Sequence, residues 1–423
     1  MPDDNRPFHP DPASPRLCRR VVGALFATVT TLALADQGLV PYVTAIPRDA
    51  EASTVTFAVF QVERYDSNFF RLPDGTGPPG DTRRSVVTST SGVGLNLDKS
   101  YGLQRIVVNA SASRALYASY GNLDETSTRI DSKYYWSVTP SVTGDVTFDY
   151  SRIPTDYEYI GYRTAPNPRT TRLTRLNVDY KPGAALHPRL SFYESQDSTQ
   201  DNTFQVESSR SHGVEASLLY DFLSGNVIGL YANHDTGKSL NLDPNVPLQL
   251  DSTFTQTQYG VLVSWKATGQ TRLDGRIGYF ERGGQRFTSR NYDGLVGTIN
   301  FRYDLTGKSV LRIQASRNLY ASQTIFSSYY QENLGEIGVD WAATGKLTFR
   351  PKFGIRKQDF RGSPFPVVDA LTETTRYGTL QLDYAALRAV DLAFSISRSS
   401  RTSNNSALQF TDNNASAFVR FKF

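Results

Sequence analysis

Glycine-bearing turns recur along this 423-residue chain with a long and steady period. They are Asp98-Lys99-Ser100-Tyr101-Gly102, Thr143-Gly144-Asp145, Lys181-Pro182-Gly183, Ser224-Gly225-Asn226, Thr268-Gly269-Gln270, Thr306-Gly307-Lys308 and Thr344-Gly345-Lys346. Successive glycines stand 38 to 44 residues apart, and Ala386-Leu387-Arg388-Ala389 keeps the beat without one. Glycine reaches positive φ without steric cost, as tight hairpins require. A step of this length holds two strands, one short turn and one longer loop. The residues between turns alternate in polarity. Leu347, Phe349, Pro351, Phe353 and Ile355 oppose Thr348, Arg350, Lys352 and Arg356, and Leu311, Ile313 and Ala315 oppose Arg312, Gln314 and Ser316. Such period-two patterning marks strands with one apolar and one wet face.

The wet face fits a water-filled interior and the apolar face fits lipid. The reverse arrangement would bury Arg350 and Lys352 in hydrocarbon at about 2–4 kcal/mol each. Aromatics gather before the turns: Tyr180, Tyr220, Trp265, Tyr303, Trp341 and Tyr384. Tyr and Trp rings favour the headgroup level of a bilayer, so these six are expected to form an interface girdle. Segment counting predicts an all-β fold, a transmembrane antiparallel β-barrel of about 18 strands, with 16 as the alternative, running from 55–63 to 412–423. An even count places both chain ends on the periplasmic side, with short turns there and longer loops outside. The expected outer loops include Leu72–Arg83, Ile153–Thr170, Ser239–Leu250, Gly362–Glu373 and Thr402–Thr411.

At the other end, Arg16, Arg19 and Arg20 precede an apolar run, Val21 to Ala35, that closes on Ala33-Leu34-Ala35 before Asp36. This reads as a secretory signal peptide cleaved near Ala35. The expected organisation is a leader at 1–35, a short periplasmic lead at 36–54 and the barrel at 55–423. The single cysteine, Cys18, precedes the apolar run, so the mature chain uses no disulfide. A negative mean hydropathy is compatible with a membrane barrel, because half of each strand faces water. A formal net charge of +4 and the lack of a basic run give no reason to expect nucleic acid.

Catalytic and metal signatures are missing from the sequence. His187, His212 and His234 lack ligand spacing and are expected to be solvated; neither enzyme activity nor a cofactor is anticipated. The nearest approach to a functional constellation is a set of cations on the lumen face: Arg272, Arg276, Arg302, Arg312, Arg350, Lys352 and Arg356, with Arg175, Arg189, Arg420 and Lys422 beside them. Asp149, Asp179, Asp274, Asp304 and Asp391 are interspersed. A basic excess there would attract anionic solutes. The competing reading is that Arg–Asp pairs across strands stiffen the wall.

Two resemblances extend this reading. The chain ends in an alternating strand that places Val419, Phe421 and Phe423 on one face. It resembles the closing strand of bacterial outer-membrane barrels, whose terminal Phe belongs to a signal read by the barrel-assembly machinery. The string Tyr65-Asp66-Ser67-Asn68-Phe69-Phe70-Arg71-Leu72-Pro73-Asp74 resembles a stretch near the mature N-terminus of the EpsL family, outer-membrane proteins of exopolysaccharide operons. The match departs at Phe69, where a smaller aliphatic residue is expected. That resemblance implies export of extracellular polysaccharide across the outer membrane of a Gram-negative bacterium, with lipid, polymer and other export-machine proteins as partners. The alternatives are a general or anion-preferring porin and a non-conducting scaffold barrel.

Overall fold

The computed structural model describes residues 54–154, 162, 164–183, 185–199, 208–240, 252–284, 288, 291–321, 327, 329–362 and 370–423. The leader and nearly all of the lead segment lie outside them. The strands are β1 (Thr54–Asp66), β2 (Val86–Tyr101), β3 (Gln104–Tyr117), β4 (Glu125–Thr139), β5 (Val142–Pro154) and β6 (Pro168–Tyr180). They continue as β7 (Leu186–Thr199), β8 (Ser209–Asp221), β9 (Val227–Ser239), β10 (Thr253–Lys266), β11 (Thr271–Gly284) and β12 (Tyr292–Thr306). The last are β13 (Ser309–Ala321), β14 (Tyr329–Ala342), β15 (Leu347–Arg361), β16 (Thr372–Leu387), β17 (Val390–Ser403) and β18 (Phe410–Lys422). Each pairs antiparallel with its sequence neighbours, and β1 pairs with β18, so the 18-stranded sheet closes on itself. Closure leaves no edge strand, and every strand finds ladder partners on both sides.

Side-chain alternation sorts the wall as the pattern predicts. Val55, Phe57 and Val59 on β1, Leu230 on β9, Phe353 and Ile355 on β15, and Phe394 and Ile396 on β17 are exposed on the outer face. Charged residues of the opposite parity line the interior. The six aromatics before the turns lie on the outer face near the short-turn ends. Counting eight residues back from Tyr180, Tyr220, Trp265, Trp341 and Tyr384 reaches Arg172, His212, Thr257, Asn333 and Arg376, all of outward parity. At about 3.3 Å per residue and a tilt of about 40°, the apolar belt between them is roughly 20 Å tall.

The turns depart from expectation in an informative way. Gly102, Gly183 and Gly225 take positive φ as hairpin glycines should. Gly269, Gly307 and Gly345 do not. In those three turns the preceding threonine does the work: Thr268, Thr306 and Thr344 Oγ1 accept from the backbone N–H of Gln270 (3.2 Å), Lys308 (3.1 Å) and Lys346 (3.2 Å). These are hydroxyl-closed turns. Gly144 is not in a turn at all. It sits in β5 opposite Trp136, whose indole lies flat across it. A Cβ there would run into both the ring and the Asn177 carbonyl oxygen. Gly144→Ala is therefore expected to cost about 1–3 kcal/mol by overpacking, read as a lower urea midpoint in tryptophan fluorescence; an unchanged midpoint would contradict this packing.

Candidate functional site

All seven predicted lumen cations take inward parity, and most are tied to acids. Arg272 bonds Asp274 at 2.6 Å, Arg302 bonds Asp304 at 3.0 Å, and Arg312 pairs with Asp340 at 2.6 Å. Arg350 reaches Asp383 at 2.7 Å and Lys352 reaches Glu336 at 3.0 Å. Arg276 on β11 stretches beneath two intervening strands to Glu215 on β8 at 2.8 Å. Arg356 is buried. The additional cations follow suit, with Arg189 on Asp179 at 2.7 Å and both Arg420 and Lys422 on Asp391 at 2.5 and 3.0 Å. Carboxylates thus accompany cations around the inner wall, and the basic excess read from the sequence is largely cancelled. Cross-strand register also aligns Lys266, Arg272, Arg302 and Arg312 in one transverse row over β10–β13. Arg302 and Arg312 keep side-chain exposures of 47 % and 58 %, so this sector of the wall is wet.

Sequence reasoning missed how the inner wall is laminated. On three occasions an aromatic ring lies on an inward glycine of a neighbouring strand, with a cation beside the ring face. Phe254 covers Gly237 beneath Arg282 (3.8 Å to the centroid). Tyr231 instead carries Arg276 over its ring (3.5 Å) and reaches past β10, so that its phenol oxygen lies against Gly278 of β11. Tyr193 covers Gly213 beneath Arg175 (4.9 Å), and Tyr377 covers Gly354 beneath Lys352 (5.6 Å). The glycine gives the ring a flat bed, and the ring's π-face attracts the cation. In-strand glycines at inward parity were the available signal. Near the short-turn end Tyr231 also packs with Leu219, Val227 and Leu262 in an apolar inner cluster.

The Tyr65–Asp74 string is not merely a strand running out into a loop. Asp66, Asn68 and Phe70 are buried at the outer end of β1. Arg71 Nη1 donates to both Asp66 carboxylate oxygens (3.0 and 3.1 Å) and to the Asn68 carbonyl (2.6 Å), and it pairs with Asp412 of β18 at 3.2 Å. Asn68 Nδ2 donates to the Leu72 and Thr411 carbonyls at 2.8 and 3.0 Å, while the Leu72 N–H returns a bond to Asn68 Oδ1 at 2.9 Å. Arg71 holds φ +55, a left-handed conformation that L-residues enter at a cost. Phe69 and Phe70 then pack on Tyr117, Tyr120 and Leu123. Burial raises the pKa of the Tyr120 phenol, helped by the Asp81 carboxylate. The string therefore locks the β1–β18 seam where the barrel closes.

The remaining predicted residues divide. His212 and His234 are outward, bonded to Thr236 and Thr257 hydroxyls at 3.0 Å each. His187 is not solvated: it is 1 % exposed, and its Nε2 lies 3.2 Å from Asp221 Oδ1. It sits at inward parity on β7, opposite Leu219 of β8, which its place next to a turn did not reveal. Val419, Phe421 and Phe423 share outward parity, and Phe423 exchanges backbone bonds with Phe57 at 2.8 and 3.2 Å.

Residues 230–423 match the family model described as "Putative beta-barrel porin 2". No curated protein matches the chain. Among solved structures it is similar to the outer membrane protein OpdK of Pseudomonas aeruginosa, at 12 % identity over 88 % of this chain and 99 % of that one, TM-score 0.49. It is also similar to OccK2 (OpdF) of the same organism in complex with glucuronate, at 13 % identity over 87 % and 98 %, TM-score 0.48. OccAB3 of Acinetobacter baumannii aligns at 10 % identity over 88 % and 99 %, TM-score 0.46.

Proposed function

We propose that this protein is a passive diffusion pore of a Gram-negative outer membrane, open to small polar solutes with weak charge preference. The carrying observation is the inner wall: wet where Arg302 and Arg312 stand, with acids placed against its bases on many strands. Such a wall lowers the cost of water and ions inside the barrel without fixing one sign of charge. The family match over 230–423 supports a porin. Polysaccharide export gains no comparable support. The string that suggested it is accounted for by the seam lock. Phe254, Tyr193 and Tyr377 lie between a glycine and a cation, so those three ring faces are not offered to a sugar. The outward apolar belt is the surface for outer-membrane lipid, and the Val419–Phe421–Phe423 face is the segment an assembly machinery would read.

Planar-bilayer recording tests the proposal. The purified barrel should insert as ohmic steps. In a tenfold salt gradient its cation and anion permeabilities should agree within roughly threefold. Absence of conductance would overturn the pore, and a strong anion preference would restore the basic-lumen reading.

A further inference from the structure

We infer that the outer wall carries a binding site for a phosphorylated lipid of the outer leaflet, its acyl chain in a trough over β13–β17 and its phosphate on Arg376 and Arg398. The inference rests on the barrel's residence in a membrane and is independent of what crosses the lumen. Most of the lipid-facing belt is a ridge of large apolar side chains. Across β13–β16 that ridge is interrupted, because Ala315, Gly335 and Gly378 occupy outward positions in neighbouring strands. The result is an apolar trough of about 800 Å³. Ile337 and Phe353, paired through Gly338-to-Lys352 register, form its body, and both are exposed.

One end of the trough is basic. Arg376 pairs with Ser400 and Gly378 pairs with Arg398, so the two arginines are diagonal neighbours, roughly 7–8 Å apart on one face. Both line the trough and both are exposed. Neither has an ion pair or hydrogen bond among the described residues. This sets them apart from nearby outward cations: Lys357 pairs with Asp359 at 3.3 Å, and Arg317 bonds Gln331 at 2.7 Å. Guanidinium groups are matched to phosphate oxygens by their planar fork, and two of them converge on one anion. Arg376 stands eight residues from Tyr384, at the far edge of the apolar belt from the short turns. That is headgroup depth in the outer leaflet, where a cation costs little and an anionic headgroup finds it. A trough for a chain, leading to two partnerless cations at headgroup level, is complementary to one molecule bearing both features.

Native mass spectrometry of the detergent-purified barrel titrated with bis-phosphorylated lipid A provides the test. Wild type should retain lipid A. The double variant Arg376→Gln, Arg398→Gln should bind about 30-fold more weakly. Gly335→Leu leaves both cations in place and should also weaken binding, by filling the trough; its new Cβ meets only Ile355, at 3.7 Å. Arg114→Gln with Arg172→Gln, removing outward cations elsewhere on the rim, should leave affinity unchanged. Heat-dependent gel mobility confirms folding of each. The inference is overturned if wild type retains no lipid A, if the Arg376/Arg398 variant binds equally, if the rim control loses as much, or if an acyl-free phosphorylated disaccharide competes as well as the lipid. A barrel that binds this way but carries no current keeps the site and loses the porin. One that conducts but ignores these substitutions does the reverse.

Discussion

Replacing Arg71 with alanine is expected to destabilise the folded barrel by about 3–5 kcal/mol. The guanidinium stands between Asp66 of β1 and Asp412 of β18, and all three side chains are at least nine-tenths buried. Without it, the two facing carboxylates keep the Asn68 N–H bonds at 3.0 and 3.2 Å and, as a cation partner, Arg64 at 3.3 Å from Asp66. Their mutual repulsion then acts across the strand pair that closes the ring. Most of the cost is this exposed imbalance, not the net worth of the ion pair, since a buried pair barely repays its own desolvation. Arg71→Gly sharpens the prediction. It loses the same charge but relieves the left-handed backbone at φ +55, so it should be about 1 kcal/mol less damaging than alanine. Urea titration followed by heat-modifiable gel mobility reads both. A midpoint for Arg71→Ala within error of wild type would remove the lock from the account of closure.

Much of this architecture was legible because a barrel wall repeats one simple rule. Alternating polarity fixes which face is wet, and turn spacing fixes strand length. The first strand, expected at 55–63, runs Thr54–Asp66, and the last, expected at 412–423, runs Phe410–Lys422. What stayed hidden depends on cross-strand register, which no single strand encodes. Glu215, Glu336, Asp340 and Asp383 neutralise lumen cations, yet each comes from another strand than its partner. A reading strand by strand sees the ladder Arg350, Lys352, Arg356 and leaves a basic pore and a wall of cross-strand pairs as alternatives. Gly144 was misplaced for the same reason. A glycine that makes a bed for Trp136 and a glycine that bends a hairpin look alike until their partners are known. Conversely, Thr268, Thr306 and Thr344 carried turn information in the residue beside the glycine, through a hydroxyl that accepts from the backbone two residues on.

Register also divides the seven lumen cations into two working groups, and Arg276 separates them. Its side chain is 8 % exposed and that of its partner Glu215 is 2 %, so the pair belongs to the wall more than to the water. The guanidinium presses on the Tyr231 ring, whose hydroxyl accepts from Gln258 Nε2 at 2.9 Å and lies against Gly278. Arg276 thus straps β8, β9, β10 and β11 together from inside. Arg276→Ala should cost about 3–5 kcal/mol, because Glu215 loses this cation in a dry setting and the ring loses its cover. The paired replacement Glu215→Gln, Arg276→Met should be milder than Arg276→Ala, since it removes both charges and keeps the bulk over Tyr231. Selectivity should respond in the opposite order. Arg312 reaches open water, so Arg312→Glu should shift the reversal potential toward cation preference while leaving the urea midpoint nearly unchanged. The stable, folded fraction of Arg276→Ala should conduct with wild-type selectivity. If instead Arg276→Ala changes selectivity and Arg312→Glu does not, solutes pass along the Glu215 side of the lumen, and the exposed arginine row is not the path.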